Sequence, residues 1–231
     1  MALKLHGLGM STCTSRVRIC LCEKEVDFEF VIVDLLALEH KQPEFLSKNP
    51  FGQVPVLEDG DLTLIESRAI TKYIATKHKD QGCDLLRDAN PAEAALVNVW
   101  LEVEAHRYHP HISSIIYHTL VYPVWGKLGD QAIIDASVEQ LKKVLDIYEE
   151  RLSKSKYLAG DFYSLADLHH IPYTYYLIKT PYADVITSRP QVKAWWDDIT
   201  SRPASQKVLV DMVLADVVYG KKEGNAGADS C

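Results

Sequence analysis

The chain has 231 residues, of which 47% are hydrophobic, and its formal net charge at pH 7 is −7. That length allows one domain or two, and the apolar content suffices for a core. The negative charge argues against unaided binding to nucleic acid or to an anionic membrane, because phosphates require a positive surface. No apolar stretch approaches the roughly 18 residues of a membrane span, and the first residues do not resemble a secretion signal, so we expect a cytosolic protein.

The first part of the chain alternates strand and helix signals. Residues 3–6 and 28–33 alternate apolar and polar side chains as strands do, and residues 14–25 between them carry a helical apolar face. This strand-helix-strand order predicts that the two strands are parallel.

A hairpin and a helix complete this part. Residues 43–46 indicate a short helix, and the strand signals at 54–57 and 62–65 are separated by an acidic, glycine-containing turn, for which a hairpin is the simplest connection. A helix follows over about residues 67–78. The predicted fold of residues 1–78 is therefore a mixed sheet of four strands covered by helices, an α/β domain.

From Pro91 onward the signals are helical, and Asn90 before it is a suitable helix cap. Residues 79–90 break the pattern and are predicted as a linker. We predict an all-α helical bundle over residues 91–219 and a disordered tail, rich in glycine and alanine, over 220–231. The helical signals lie at 91–108, 131–153, 164–177 and 191–201.

The cysteine spacing gives no sign of a metal site. There is no C-x-x-C pair, and Cys20 and Cys22 have no matching pair elsewhere. We therefore expect reduced, mostly buried thiols and no metal ion. The five cysteines are Cys13, Cys20, Cys22, Cys83 and Cys231.

A proline interrupts the strand signal of residues 54–57. If the bond before Pro55 is cis, the N–H and C=O of Val54 turn outward and are available to a peptide-like ligand. A trans proline that protects a sheet edge is the alternative. Where the next strand gives way to a helix, Ser67 is a plausible N-cap beside N–H groups that bind a carboxylate, and Glu66 suits an ammonium. Together they fit the α-amino-acid end of a ligand, although a plain helix start has the same sequence.

These residues belong to a recognisable pattern. The segment NPFGQVP at 49–55, followed by EDGD at 58–61 and ESRAI at 66–70, resembles the glutathione-binding segment of the glutathione transferases, plant phi class. The segments MSTCTSRV at 10–17 and YLAGDFYSLADL at 157–168 fit the same class. The resemblance thus extends over nearly the whole chain.

The resemblance implies a thioredoxin-like first domain and a cis bond at Pro55. It implies that the Val54 backbone pairs with the cysteinyl part of glutathione, and that Glu66 and Ser67 hold its γ-glutamyl end. His40 and Lys41 match a cationic pair near the glycyl carboxylate, although His-Lys before Gln-Pro also suits a solvated turn. The residues assigned to glutathione are Ser11, Thr12, His40, Lys41, Gln53, Val54, Pro55, Glu66 and Ser67.

The chemistry concerns the thiol of glutathione, of which only a few per cent is thiolate at neutral pH when the pKa is about 8.5. Ser11 stands at a predicted helix start, and in the phi pattern S-T-x-x-x-R-V this serine activates glutathione. A plain helix cap is the alternative role for Ser11. In the thiol-transfer classes a cysteine stands five residues before the arginine; here that residue is Ser11, which favours conjugation. Cys13 is then either a reactive thiol open to glutathionylation or a small buried core residue.

In the second domain, Ser164 and Asp167 form a capping box that serves folding. The aromatic residues of this domain imply a hydrophobic acceptor pocket, although at helical spacing they also suit the bundle core. Residues predicted to line the pocket are Met10, Leu35, Tyr117, Leu120, Tyr122 and Tyr176.

Two functions remain open from the sequence. The first is transfer of the glutathione thiolate to hydrophobic electrophiles, with reduction of organic hydroperoxides as a related activity. The second is a non-catalytic carrier of flavonoids or other planar compounds. The resemblance implies a homodimer, with glutathione as co-substrate and no tightly bound cofactor.

Overall fold

The computed structural model describes residues 3–219. Four strands form one mixed sheet in the spatial order β2-β1-β3-β4. In chain order they are β1 (Leu3–Gly7), β2 (Phe28–Ile32), β3 (Val56–Asp59) and β4 (Leu62–Leu64). β1 is parallel to β2 and antiparallel to β3, and β3 pairs antiparallel with β4. The predicted parallel pair and hairpin are confirmed.

Three helices accompany the sheet: α1 (Thr12–Glu23), α2 (Pro43–Lys48) and α3 (Ser67–Lys77). A 3-10 turn at Glu39–Lys41 precedes α2. α1 begins two residues earlier than the sequence predicted, because the Ser11 side chain caps it by accepting a hydrogen bond from the Thr14 N–H.

The prediction of Ser67 as the cap of α3 is wrong. Ser67 is the first helical residue, and Glu66 occupies the cap position with φ 68°. The Ser67 hydroxyl does not cap the helix, because it accepts a hydrogen bond from the buried Arg16 instead.

Between residues 91 and 219 all regular structure is helical, so the predicted fold class is confirmed. Two π-helical turns, Glu104–Tyr108 and Tyr117–Val121, flank α5 (His109–Ile116). The other helices are α4 (Pro91–Val103), α6 (Tyr122–Val124), α7 (Gln131–Leu152), α8 (Leu165–Leu168), α9 (Ile171–Ile178), α10 (Asp184–Thr187), α11 (Pro190–Ser201), α12 (Pro203–Leu209) and α13 (Leu214–Tyr219).

One predicted helix proved to be two. Residues 164–177 divide into α8 and α9, because Pro172 has no N–H to donate to the Leu168 carbonyl. The predicted capping box is present before α8: the Ser164 hydroxyl accepts from the Ala166 N–H, and the Asp167 carboxylate accepts from the Ser164 N–H.

One continuous core joins the sheet-bearing part to the helical part. Val17 of α1 and Ile70 of α3 belong to the same buried cluster as Ile112 of α5 and Ile171 of α9. Residues 79–90 hold neither helix nor strand. The domain boundaries stay a prediction, and the predicted tail at 220–231 lies outside the described residues.

Among residues 3–219 no helix is long and apolar enough to cross a bilayer. The expectation of mostly buried cysteines is wrong for the described ones. Cys20 is fully buried, whereas Cys13, Cys22 and Cys83 are half-buried.

Candidate active site

Ser11 lies where β1 ends and α1 begins. Its N–H donates to the Leu8 carbonyl at 2.9 Å, and its Oγ accepts from the Thr14 N–H at 3.3 Å. The strand and helix meet closely here because Gly7 has no side chain; a Cβ there would lie 2.4 Å from Thr14 Cγ2. Capping uses Oγ as an acceptor, so the hydroxyl proton of Ser11 remains available to a ligand.

The residues assigned to glutathione all line one open cleft of about 530 Å³. The bond between Val54 and Pro55 is cis, as the resemblance implied. Beside it, the Asn49 side-chain amide donates to the Gln53 carbonyl at 2.7 Å and fixes the loop. The cleft therefore brings together the residues assigned to glutathione, which lie up to 56 positions apart, from Ser11 to Ser67.

At one end of the cleft, Glu66 holds a backbone conformation that is uncommon for a residue with a side chain. Its φ is 68° and its ψ is 104°. Such outliers cost of order 1–3 kcal/mol and concentrate at binding sites. The strained backbone sets Glu66 and Ser67 side by side on the cleft wall.

Ser67 is hydrogen-bonded to a buried cluster of charged side chains that the sequence analysis did not predict. Arg16, fully buried, donates to Ser67 Oγ at 2.7 Å and to the His169 carbonyl at 3.3 Å. Its guanidinium also lies 3.6 Å from the Glu104 carboxylate, and Arg68 pairs with the same carboxylate at 2.7 Å. Burial by itself raises the pKa of Glu104, but the two arginines outweigh it and hold that pKa at about 2.

At the other end of the cleft lie His40 and Lys41. The Lys41 ammonium donates to the Gly52 carbonyl at 2.8 Å and to the Phe51 carbonyl at 3.3 Å. Burial and the Lys41 charge both lower the pKa of His40, so its ring is neutral at pH 7. Lys41 is therefore the positive charge at this end.

An apolar cavity of about 200 Å³ adjoins the cleft. Of the residues predicted to line it, Met10, Leu35, Tyr117 and Tyr176 do so. The sequence analysis missed Leu8, Leu36, Val124, Trp125, Tyr173, Leu214 and Val217.

Two predicted lining residues lie elsewhere. Leu120 is fully buried in the core, and Tyr122 packs edge-on against Tyr117 at 6.0 Å between ring centroids. The π-helical turn over Tyr117–Val121 explains this, because its wider turn keeps Tyr117 and Val121 on the cavity side and turns Leu120 toward the bundle. The sequence held no signal for this face, because in an α-helix the residue three after Tyr117 would share its face.

Cys13 is not the small buried core residue that the sequence allowed. It is half-buried and lines the cleft, with its Sγ 3.8 Å from Arg16 Nη1. Among residues 3–219 no cluster of histidine, cysteine or acidic side chains has the form of a metal site.

The two cavities share a wall. Ser11, Thr12, Tyr117 and Tyr173 line both of them. Molecules bound in the polar cleft and in the apolar cavity would meet at this shared wall.

Comparison with known proteins agrees with this geometry. The family model described as glutathione S-transferase, N-terminal domain, matches residues 1–76, and the corresponding C-terminal domain matches residues 109–203. The chain belongs to the glutathione S-transferase family. The resemblance to its plant phi class is confirmed by the relatives it matches.

Three relatives are informative. Glutathione S-transferase F13 of Arabidopsis thaliana is 57% identical over 93% of this chain and 98% of its own. The crystal structure of glutathione transferase F7 from Populus trichocarpa is 65% identical with a TM-score of 0.90, covering 91% of this chain and 99% of that one. Glutathione S-transferase I from maize, solved in complex with an atrazine glutathione conjugate, is 50% identical with a TM-score of 0.85 over 92% of this chain and 98% of its own.

Proposed function

We propose that this glutathione transferase conjugates the glutathione thiolate to hydrophobic electrophiles, with Ser11 stabilising the thiolate. One observation carries the proposal: the Ser11 hydroxyl stands in the wall shared by the polar cleft and the apolar cavity. The maize relative bound to a glutathione conjugate supports the same use of the two spaces.

A serine hydroxyl at a helix N-terminus supplies enough free energy to lower the thiol pKa without a metal ion or a general base. A hydrogen bond from a hydroxyl to an anion contributes about 1.5–3 kcal/mol, and the N-terminus of α1 adds about 0.3–1 kcal/mol. At 1.36 kcal/mol per pKa unit, the two together lower the thiol pKa by about 1–3 units. The thiol then loses its proton to solvent near neutral pH, and the sulfur forms a bond to the electrophilic carbon as the leaving group departs.

The rest of the cleft positions the tripeptide. In this proposal the Val54 backbone pairs with the cysteinyl part, and Gln53 binds beside it. Glu66 and Ser67 hold the γ-glutamyl ammonium and carboxylate, and Lys41 attracts the glycyl carboxylate.

The same thiolate also supports reduction of organic hydroperoxides. It attacks the outer peroxide oxygen, which releases an alcohol and leaves a glutathione sulfenic acid; a second glutathione then gives the disulfide and water. A carrier of planar compounds is the competing function, and the donor at Ser11 favours the enzyme, because a carrier does not need a stabilised thiolate.

We also propose a homodimer in which the first part of one subunit packs against the second part of the other. Large apolar side chains exposed on both parts support it, with Phe51 at 67% and Val99 at 54% exposure. Light scattering during gel filtration tests it, and a monomer at micromolar concentration would contradict it. A cytosolic location stays a prediction.

The Ser11→Ala variant tests the main proposal. It should lose conjugation of a chloronitrobenzene acceptor by about 100-fold while glutathione affinity changes little, because besides the cap on the Thr14 N–H it removes only the bond to the thiolate. Ultraviolet absorbance of the bound thiolate gives the thiol pKa directly, and Cys13→Ser is the matched control. Full turnover by Ser11→Ala, or loss of turnover in Cys13→Ser alone, would contradict the assignment.

A further inference from the structure

Tyr173 is a second hydroxyl at the junction of the two cavities. It is the third residue of α9, its side chain is 5% exposed, and it lines both the cleft and the apolar cavity. The His109 ring packs edge-on against it, with 4.9 Å between ring centroids and an interplanar angle of 82°. This contact holds the phenol ring in place from the second part of the chain, opposite Ser11.

The hydroxyl is protonated at neutral pH. Burial raises the pKa of Tyr173, and Cys13 and Tyr117 nearby raise it further, whereas the Thr12 side chain lowers it. The Thr12 hydroxyl can donate to the Tyr173 oxygen, and in that arrangement the Tyr173 proton is free for a ligand.

Two other buried tyrosines of the helical part, Tyr176 and Tyr108, have a hydrogen-bond partner within the protein. Tyr176 donates to the Met10 carbonyl at 2.6 Å, and the Tyr108 hydroxyl pairs with Thr174 at 2.7 Å. Within residues 3–219, the structure shows no carboxylate or carbonyl that accepts from Tyr173. Its proton is therefore available to a molecule in the cavity.

We propose that Tyr173 contacts the acceptor substrate, donating a hydrogen bond to the carbonyl oxygen of neutral α,β-unsaturated aldehydes and ketones. The inference rests on the proposed function, because it requires the glutathione sulfur beside Ser11. Among residues 3–219, none of those that line the apolar cavity carries a charge, which favours an uncharged acceptor. An unsaturated carbonyl compound also carries its hydrogen-bond acceptor a few atoms from the carbon that is attacked.

The step balances without a further reactant. The thiolate sulfur bonds to the β-carbon, and the electron pair of the carbon-carbon double bond moves toward the carbonyl oxygen, giving an enolate. Tyr173 keeps its proton and stabilises the negative oxygen through the hydrogen bond, which strengthens as charge develops. The α-carbon then takes a proton from solvent, which replaces the proton that the thiol released.

Tyr173→Phe removes the hydroxyl and keeps the ring that packs on His109. We expect kcat for a 2-alkenal to fall about tenfold with little change in KM, because the lost bond acts mainly in the transition state. For an alkyl iodide of the same chain length, whose charge departs on iodide, kcat should change less than about twofold. Tyr175→Phe is the matched control, since Tyr175 lies on the same helix, under the Lys179 ammonium, and lines neither cavity.

Equal losses with both acceptors would overturn the inference, since they would show that the hydroxyl only shapes the cavity. No loss with the alkenal would also overturn it, and so would a changed pKa of bound glutathione in Tyr173→Phe, because the hydroxyl would then act on the sulfur. A wild-type protein that conjugates neither acceptor contradicts the proposed function itself. A variant that stays active on the iodide and weak on the alkenal supports Tyr173 specifically.

Discussion

At the scale of single residues, local chemistry was readable from the sequence and distant partners were not. Ser11 was predictable because a serine before an apolar helical face is a favoured cap, whatever else it does. The contact between Arg16 and Ser67 joins residues 51 positions apart, and no local pattern marks which serine receives a buried guanidinium. Tyr173 was missed because it reaches the cavities only where α9 packs against α1, and no local sequence pattern predicts that contact.

The Ser67→Ala variant tests the link between the cleft and the buried arginine. It removes an acceptor for Arg16 at 2.7 Å, so we expect a loss of about 1–3 kcal/mol in the free energy of unfolding. Glutathione affinity should also fall by about tenfold if Ser67 holds the γ-glutamyl end. Urea denaturation and calorimetric titration measure the two effects. Ser47→Ala is the control, because Ser47 is exposed and donates only to the Glu44 carbonyl. If Ser67→Ala is as stable as Ser47→Ala and binds glutathione as tightly, both expectations are contradicted.

At the scale of elements, the predictions succeeded where helical periodicity was long and failed where it was interrupted. α7 was predicted within one residue at its C-terminal end, because 22 residues repeat one apolar face. α5 was missed because Pro110 and π-helical turns on both sides obscure the period. Short α13 gave too few turns to distinguish a helix from a loop, so its contribution to the acceptor cavity had no signal.

The start of α8 yields a stability prediction. Asp167 is fully buried and accepts from the Leu158 N–H at 3.1 Å and the Trp195 Nε1–H at 2.9 Å, besides Ser164. Asp167→Asn places an amide donor among these donors, so we expect a loss of about 1–3 kcal/mol, measured as a lower urea midpoint. Asp161→Asn is the control, because the exposed Asp161 accepts from the Lys156 N–H in the same loop. Equal midpoints for the two variants would refute the prediction.

At the scale of the whole molecule, the change from strand signals to helical signals predicted two parts but not the faces that meet. Those faces are joined by Arg16, Arg68 and Glu104 together with His169, whose Nε2 lies 2.8 Å from Thr71 Oγ1. Charged residues are usually predicted at the surface, since a buried charge is costly unless it is paired. The pairing becomes visible only when α1, α3 and the turn after α4 are placed together.

This cluster predicts how stability depends on pH. The pKa of Glu104 is lowered from 4.5 to about 2 in the folded protein, so its contribution is present above about pH 4.5 and is lost as the pH falls toward 2. The loss is on the order of 3 kcal/mol. Glu104→Gln should lower stability at pH 7 and flatten the decline between about pH 5 and pH 2, as measured by urea denaturation at several pH values. Glu102→Gln, at an exposed position two residues earlier at the end of α4, should follow the wild-type curve. A Glu104→Gln curve as steep as that of wild type would rule out this origin of acid sensitivity.

Because some residues line both cavities, substitutions at them cannot change one cavity without changing the other. Trp125 and Tyr117 line both spaces, so in the proposed function a substitution there that widens the acceptor range also weakens glutathione binding. Ile116, Leu214 and Val217 line the apolar space alone. Substitutions at these three positions can therefore change the range of electrophiles without altering the cleft proposed to bind glutathione.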